Sequence, residues 1–325
     1  MKRGFAAISI AVEGQTDEPL KRMEPKENKF YASHSHPGPR RYGVYRDWTE
    51  SLENQWMFHA VADTILARLL LAKSFGDRVD STKIGLMGIS WGGIVSCTIA
   101  GVTGSSNTFS HIIPAYGCGY LADAQSQMGH ALKDNTIYRI LWDPCIYLSR
   151  ATMPSLWLSS PEDPKFPLEG FLSSSTLMRG SVTTSVIPTL GHGHDPIWNR
   201  PESYVFSEYI WSQNEPNSTK SCWTQQLSSQ VSYSELHSML IFRVHFRTIY
   251  PFQFAKLIWS PESDDTWAET RKWRISNAEL VNQTSDTATA IALIPNEAQA
   301  WMINMYTEDR GDGNLIVTST YQHPP

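Results

Sequence analysis

The segment that most restricts what this chain can become runs from residue 83 to residue 100. Lys83-Ile84-Gly85-Leu86-Met87 is a short apolar run of strand length. Gly88-Ile89-Ser90-Trp91-Gly92 fits the pattern G-x-S-x-G, and Ile94-Val95-Ser96-Cys97-Thr98-Ile99-Ala100 is small, apolar and long enough to open a buried helix. Five residues alone match by chance often; a strand, a tight turn bearing serine and a buried helix in that order are far more restrictive. A serine on a strained turn at the end of a strand presents its hydroxyl outward. The backbone N–H that follows it, here that of Trp91, can then point at a developing oxyanion. Gly88 and Gly92 are expected to remove side chains that would collide where strand and helix approach.

A serine nucleophile needs a base, and the base needs an orienting carboxylate. Met153 to Ser160 reads as a buried strand running into Pro161-Glu162-Asp163-Pro164, an acidic turn. Val182 to Ile187 is β-branched and strand-like, and Pro188-Thr189-Leu190-Gly191-His192-Gly193-His194 follows as a glycine-rich loop. His192, flanked by glycines that let the loop fold over the serine, is the preferred base. His194, followed by Asp195-Pro196, reads as the start of the next turn and is the alternate. Asp163 is the preferred acid because a short side chain at a turn suits a fixed hydrogen bond to imidazole; Glu162 is its alternate.

These stretches, together with Tyr45-Arg46-Asp47-Trp48-Thr49-Glu50, Gly85 to Gly93, Tyr116-Gly117-Cys118-Gly119 and Ser159 to Pro167, give the chain a resemblance to α/β-hydrolases of the acetylxylan esterase and dienelactone hydrolase kind. The likeness is to long bacterial forms with an added C-terminal β domain. It covers most of residues 4–211 and, more loosely, 250–321. It implies a nucleophile elbow at Ser90, Asp163 as acid and His192 as base, in the chain order Ser, acid, His. It also implies a small-molecule or polysaccharide ester as substrate, with short acyl groups such as acetyl. By the same resemblance residues 5–11 form the fourth strand of the fold. Three strands, and the loop giving a second oxyanion N–H, would precede it. The chain is therefore expected to be N-terminally truncated, or to carry a remodelled sheet in which strand 5–11 slides beside the nucleophile strand. Two other readings stand beside the esterase. One is a serine peptidase of the prolyl oligopeptidase kind, against which no propeller-forming repeats are visible. The other is a catalytically impaired carbohydrate-binding or interaction module.

Bulk properties narrow the partners. A net charge of -5 leaves no basic footprint for nucleic acid. No apolar run approaches the roughly 20 residues of a membrane span. Met1-Lys2-Arg3 is basic, but Glu13 interrupts the following apolar stretch too soon for a signal peptide, so localisation stays open, as does oligomeric state. Of Cys97, Cys118, Cys145 and Cys222, no two form a C-x-x-C pair; Cys97 reads as core, and Cys118 and Cys145 are able to pair. Asn217-Ser218-Thr219 and Asn282-Gln283-Thr284 match glycosylation sequons. His34, His36, His192 and His194 make two H-x-H pairs of a spacing zinc can use, but the elbow already accounts for His192. No metal and no cofactor are expected.

The pattern along the chain predicts an α/β fold: a doubly wound, mostly parallel sheet over residues 1–213, a connection over 214–250, and a small antiparallel β-sandwich-like domain over 251–325. Thr49 to Ser74 reads as the clearest helix, with Phe58, Val61, Ile65, Leu69 and Ala72 as its apolar stripe, widened by Trp56, Leu66 and Leu70. Gln125 to Asp143 reads as irregular helical cover and Pro201 to Gln213 as a last helix. Trp259, Trp267 and Trp273 in the β region read as core or cross-strand partners rather than as a sugar platform.

Overall fold

The computed structural model describes residues 4–12, 15–24, 29–33, 38–39, 41, 43–213, 223–308 and 314–324. In chain order the elements are β1 (Gln15–Glu24), β2 (Lys29–Ser33), α1 (Trp56–Ser74), β3 (Leu86–Ile89), α2 (Trp91–Thr103), β4 (Ile112–Ala115), α3 (Gln127–Leu132), β5 (Ser155–Ser159), α4 (Leu168–Thr176), β6 (Val182–Val186), α5 (His194–Trp198) and α6 (Pro201–Ser212). Seven further strands follow: β7 (Gln225–Ser234), β8 (Met239–Arg247), β9 (Phe252–Ser260), β10 (Arg274–Val281), β11 (Thr287–Ile294), β12 (Ala300–Glu308) and β13 (Asn314–Thr318). β1 and β2 pair with each other as a separate antiparallel ribbon.

Strands β3, β4, β5 and β6 lie side by side and parallel, with Leu86 opposite Ile112, Ile112 opposite Ser155 and Ser155 opposite Val182. They start level, so their C-terminal ends deliver Ser90, Tyr116, the Asp163 turn and the His192 loop to one edge of the sheet. Every residue of β4 and β5 is buried, as a central parallel strand covered on both faces requires. Helix α2 packs on β3 and β4 and also touches α1. Parallel strands with helices laid over them make this half an α/β fold.

The C-terminal strands do not stand apart from that sheet. β13 lies beside β6, antiparallel to it, with Thr318 opposite Thr184, and the order continues through β12, β9 and β10. Strand β10 serves two layers: Arg274–Ala278 pair with β9, and Glu279–Val281 pair with β11, which leads on to β8 and β7. The layers bury alternating residues, among them Phe242, Val244, Phe246, Ala288, Ala290 and Ala292 from one and Ala255, Leu257, Ile303 and Met305 from the other. Side chains finish the junction at β6. Asn304 donates from Nδ2 to Val186 O (2.7 Å), the Val186 N–H donates to Thr318 Oγ1 (2.7 Å), and that hydroxyl donates to Asn304 Oδ1 (2.7 Å). The buried Glu202 at the start of α6 takes a two-pronged bond from Arg200 and accepts the Ile316 N–H at 3.0 Å.

Several expectations are corrected. Residues 5–11 form no strand. The segment instead docks on α6 through Phe5, whose ring lies against Tyr204 and Trp211, so its apolar character reflects packing on a helix. Among the described residues β3 pairs only with β4, and no strand slides beside it. Helix α1 begins at Trp56, not Thr49, because Asp47 Oδ2 accepts the Trp56 N–H (2.5 Å) and two short 3₁₀ turns occupy residues 46–54. Its buried face is Trp56, Met57, Ala60, Val61 and Thr64, while Phe58, Leu66, Leu69 and Leu70 of the expected stripe are exposed. The helix is apolar on more than one side, so its period alone does not select the face that packs. Residues 225–247 of the expected connection are the hairpin β7–β8; residues 214–222 lie outside the described residues. In agreement with its reading as a core residue, Trp259 is buried, and Trp273 packs under the Arg271 guanidinium at 4.7 Å. Cys97, Cys118 and Cys145 are all unpaired thiols.

Candidate active site

Ser90 caps α2 with φ 60° and ψ −119°, a backbone conformation that costs a non-glycine residue about 1–3 kcal/mol. The turn is held by the Ser90 N–H donating to Ala115 O (2.9 Å) and by Ser90 O accepting from the Gly93 and Ile94 N–H groups. Trp91 is the first residue of α2, so its N–H is among the helix-start donors that have no partner within the helix. The glycines divide their work differently from the expectation. A Cβ at Gly88 would run into the Gly92 carbonyl and Ser96, as expected, but one at Gly92 would meet open space. The crowded second position is Gly93, where a Cβ would come within 2.7 Å of Gly117 N and 2.9 Å of Ala115 O. The run of two glycines hid which of them carries the contact.

His192 sits between Ser90 and Asp163. Its Nε2 is 3.0 Å from Ser90 Oγ and its Nδ1 is 2.9 Å from Asp163 Oδ2. With a carboxylate at Nδ1, that nitrogen carries the proton and Nε2 is left to accept from the serine. Asp163 is buried, and its other oxygen accepts the Lys165 N–H (2.8 Å) and Phe166 N–H (3.1 Å), so the carboxylate cannot swing away from the ring. The imidazole lies against two rings: Phe166 stacks on it with centroids 5.4 Å apart and planes 14° from parallel, and Tyr116 lies 4.7 Å away, tilted by 39°. Tyr116, left-handed at φ 64°, also donates its hydroxyl to Gly193 O (3.0 Å). Sequence reading singled out the Tyr116 segment without giving this residue a role.

The two alternates are placed elsewhere. His194 opens α5 at the surface, 5.3 Å from the His192 ring; burial first, then the nearby His192 and Lys165, pushes it below the usual histidine range. Glu162 does not touch His192. Its Oε2 accepts from Ser160 Oγ (2.8 Å) and from the Thr189 N–H (3.0 Å), and Ser160 Oγ accepts the Gly191 N–H (3.2 Å). Thr189 has φ 71° and Gly191 φ 53°; for a β-branched residue that is a strained conformation.

The Tyr45–Glu50 segment braces the far side of the elbow. Tyr45 donates to Gln55 Oε1 (2.7 Å), which also takes the Trp142 indole N–H (2.8 Å). Trp56 then stands edge-on to Trp91 at 5.7 Å, and the Arg41 guanidinium lies 5.2 Å from the Trp91 ring. Behind Asp163, a crevice lined by Pro167, Glu169, Thr266, Arg271 and Trp273 joins the acid turn to the β region, with Arg271 paired to Glu169 (3.4 Å) and Asp264 (2.9 Å). Beneath the elbow, burial raises the thiols of Cys97 and Cys118 and pushes Cys145 up to about 12, which keeps them out of nucleophilic chemistry. Among the described residues no three His, Cys, Asp or Glu side chains are grouped so as to hold a metal ion; His34 and His36 lie outside them. No helix among the described residues is long and apolar enough to cross a membrane.

No protein-family model matches the chain, and comparison with curated proteins gives no match. Among solved structures it is similar to acetyl xylan esterase 1 from Thermoanaerobacterium sp. JW/SL YS485, with 15% identity over 56% of this chain and 61% of that one and a TM-score of 0.42. It is similar to the acetyl xylan esterase from Paenibacillus sp. R4 at 16% identity, over 56% and 61% of the two chains, with a TM-score of 0.43. It is also similar to the Pyrococcus horikoshii acylaminoacyl peptidase at 21% identity, over 48% and 28%, with a TM-score of 0.39. The chain thus spans less than two thirds of each of these proteins.

Proposed function

We propose that this chain is a serine carboxylic ester hydrolase of the α/β-hydrolase kind. The observation that carries the reading is one imidazole within hydrogen-bond reach of both a serine on a strained strand-to-helix turn and a buried, immobilised carboxylate. In this reading Ser90 Oγ attacks the acyl carbon while its proton passes to His192 Nε2, and the carbonyl π electrons move to the oxygen. The Trp91 N–H, at the start of α2, stabilises that oxyanion. The tetrahedral species collapses, the C–O bond to the leaving group breaks, and the His192 Nε2–H protonates the departing alkoxide. Water then attacks the acyl-enzyme by the same route in reverse, releasing the acid and Ser90. Asp163 keeps Nδ1 protonated and stabilises the imidazolium between the two transfers.

The substrate we propose is an acetylated carbohydrate, which rests on the motif resemblance around Ser90, Tyr116 and Asp163. The test is labelling with a fluorophosphonate probe, together with release of acetate from acetylated xylan and of p-nitrophenol from its acetate ester. The expected outcome is labelling and turnover in the wild type, with both lost in Ser90→Ala. A Ser90→Ala protein with wild-type turnover removes the reading. Labelling without acetate release from the polysaccharide keeps the serine hydrolase and removes the substrate.

A further inference from the structure

Glu162 is not needed as the acid, since Asp163 fills Nδ1 of His192 and Ser90 stands at Nε2. One oxygen of its carboxylate is nonetheless engaged twice. Oε2 takes the Thr189 N–H and the Ser160 hydroxyl, and Ser160 in turn takes the Gly191 N–H. The two residues so held, Thr189 and Gly191, are the left-handed positions of the loop that carries His192. Gly191 adopts that conformation without a Cβ penalty; Thr189 does not, and its exposed side chain gains no packing in exchange. We propose that Glu162 is a positioning residue for the base: it clamps Thr189 in its strained conformation and so fixes the approach of His192 to Ser90. The proposal rests on Ser90, His192 and Asp163 being the reacting set.

The clamp divides two adjacent carboxylates by task. Asp163 holds the ring, and Glu162 holds the backbone that delivers the ring. Tyr116 fixes the far side of the same loop through Gly193 O, but it makes no bond to Thr189, so it does not replace Glu162. Without the Glu162 carboxylate, the Thr189 N–H loses its acceptor and the residue is free to relax toward negative φ. His192, three residues on, moves with it. The loss falls on proton transfer rather than on substrate capture.

The test is a double-mutant cycle read with p-nitrophenyl acetate. E162A is expected to lower kcat about tenfold or more with KM within about twofold. E162Q, which keeps an oxygen able to accept both donors, is expected to stay within about threefold of wild type. In the E162A background, T189G makes the left-handed conformation free of Cβ strain, so E162A/T189G should recover most of the loss measured against T189G alone. An unchanged kcat in E162A overturns the proposal, and so does a double mutant as slow as E162A, because a general structural defect is not relieved at Thr189. Amide hydrogen exchange gives a readout that needs no turnover. Faster exchange at Thr189 and Gly191 in E162A supports the clamp, and unchanged exchange overturns it. A wild type inert toward ester and probe sinks the hydrolase reading and the base's role with it, whatever the exchange shows.

Discussion

At the scale of single residues, the site is decided by which proton sits on which nitrogen. Asp163 accepts two backbone N–H bonds on Oδ1 and faces His192 with Oδ2. Asp163→Asn would keep its amide oxygen on those backbone donors and turn its NH₂ toward the ring. His192 would then carry its proton on Nε2 and could not take one from Ser90. A fall in kcat of about 10⁴-fold, with the folded structure intact, is expected from steady-state kinetics and circular dichroism. The grouping of Ser90, His192 and Asp163 was legible because each followed a strand and stood in a distinctive short pattern. The contacts of Glu162 and Tyr116 with the His192 loop were not legible, because their partners are backbone atoms 27 and 77 positions away in sequence. No local pattern encodes such a contact.

Between elements, the close approach of α2 to the parallel sheet rests on Gly93 rather than Gly92. Gly93→Ala is expected to destabilise by about 1–3 kcal/mol, since the atoms its Cβ meets are backbone of the neighbouring strand end and cannot yield separately. Gly92→Ala, in open space and already helical, is expected to be neutral or to stabilise by up to about 1 kcal/mol. Urea denaturation of the two variants separates these outcomes. Strands β5 and β6 and helix α6 were read from sequence because burial on both faces of a strand, or a helical apolar stripe, leaves a strong signal, and residues 251–325 were read as antiparallel β structure as a region. β7 was not, since an edge strand rich in Ser and Gln has no such signal. In β8 the alternation Phe242, Val244, Phe246 was present but lay beside that polar run, and the whole stretch read as a connection. The face of α1 failed for the opposite reason: leucines on several sides give a period no single choice of face.

For the whole molecule, two buried titratable groups act on stability in opposite senses. His111, buried between Ser110 and Ser207, is pushed down to about 4 by burial. The unfolded chain therefore binds its proton first as pH falls, and its contribution, complete above about pH 6.5, is lost between about 6.5 and 4, by about 3 kcal/mol. Glu169, pushed up to about 7 chiefly by burial and despite Arg271, binds its proton first in the folded state, so its contribution fades as pH rises from about 4.5 to 7. Comparing His111→Gln with wild type cancels the second term: the stability gap between them is expected to shrink steadily from pH 7 to pH 4 in urea titrations. The shared sheet makes a further demand. Residues 1–213 alone would leave the β6 edge unpaired and Glu202 without its Ile316 partner, so that fragment is expected to aggregate rather than give a sharp melting transition by calorimetry and size-exclusion chromatography. The same junction governs how the polypeptide is made. The strand that seals β6 ends at Thr318, 134 positions after its partner Thr184. All 134 of those positions must therefore be synthesised before the strand leading to the His192 loop has both neighbours, and until then the nascent protein offers an open edge that a chaperone, or a second nascent copy, can occupy first.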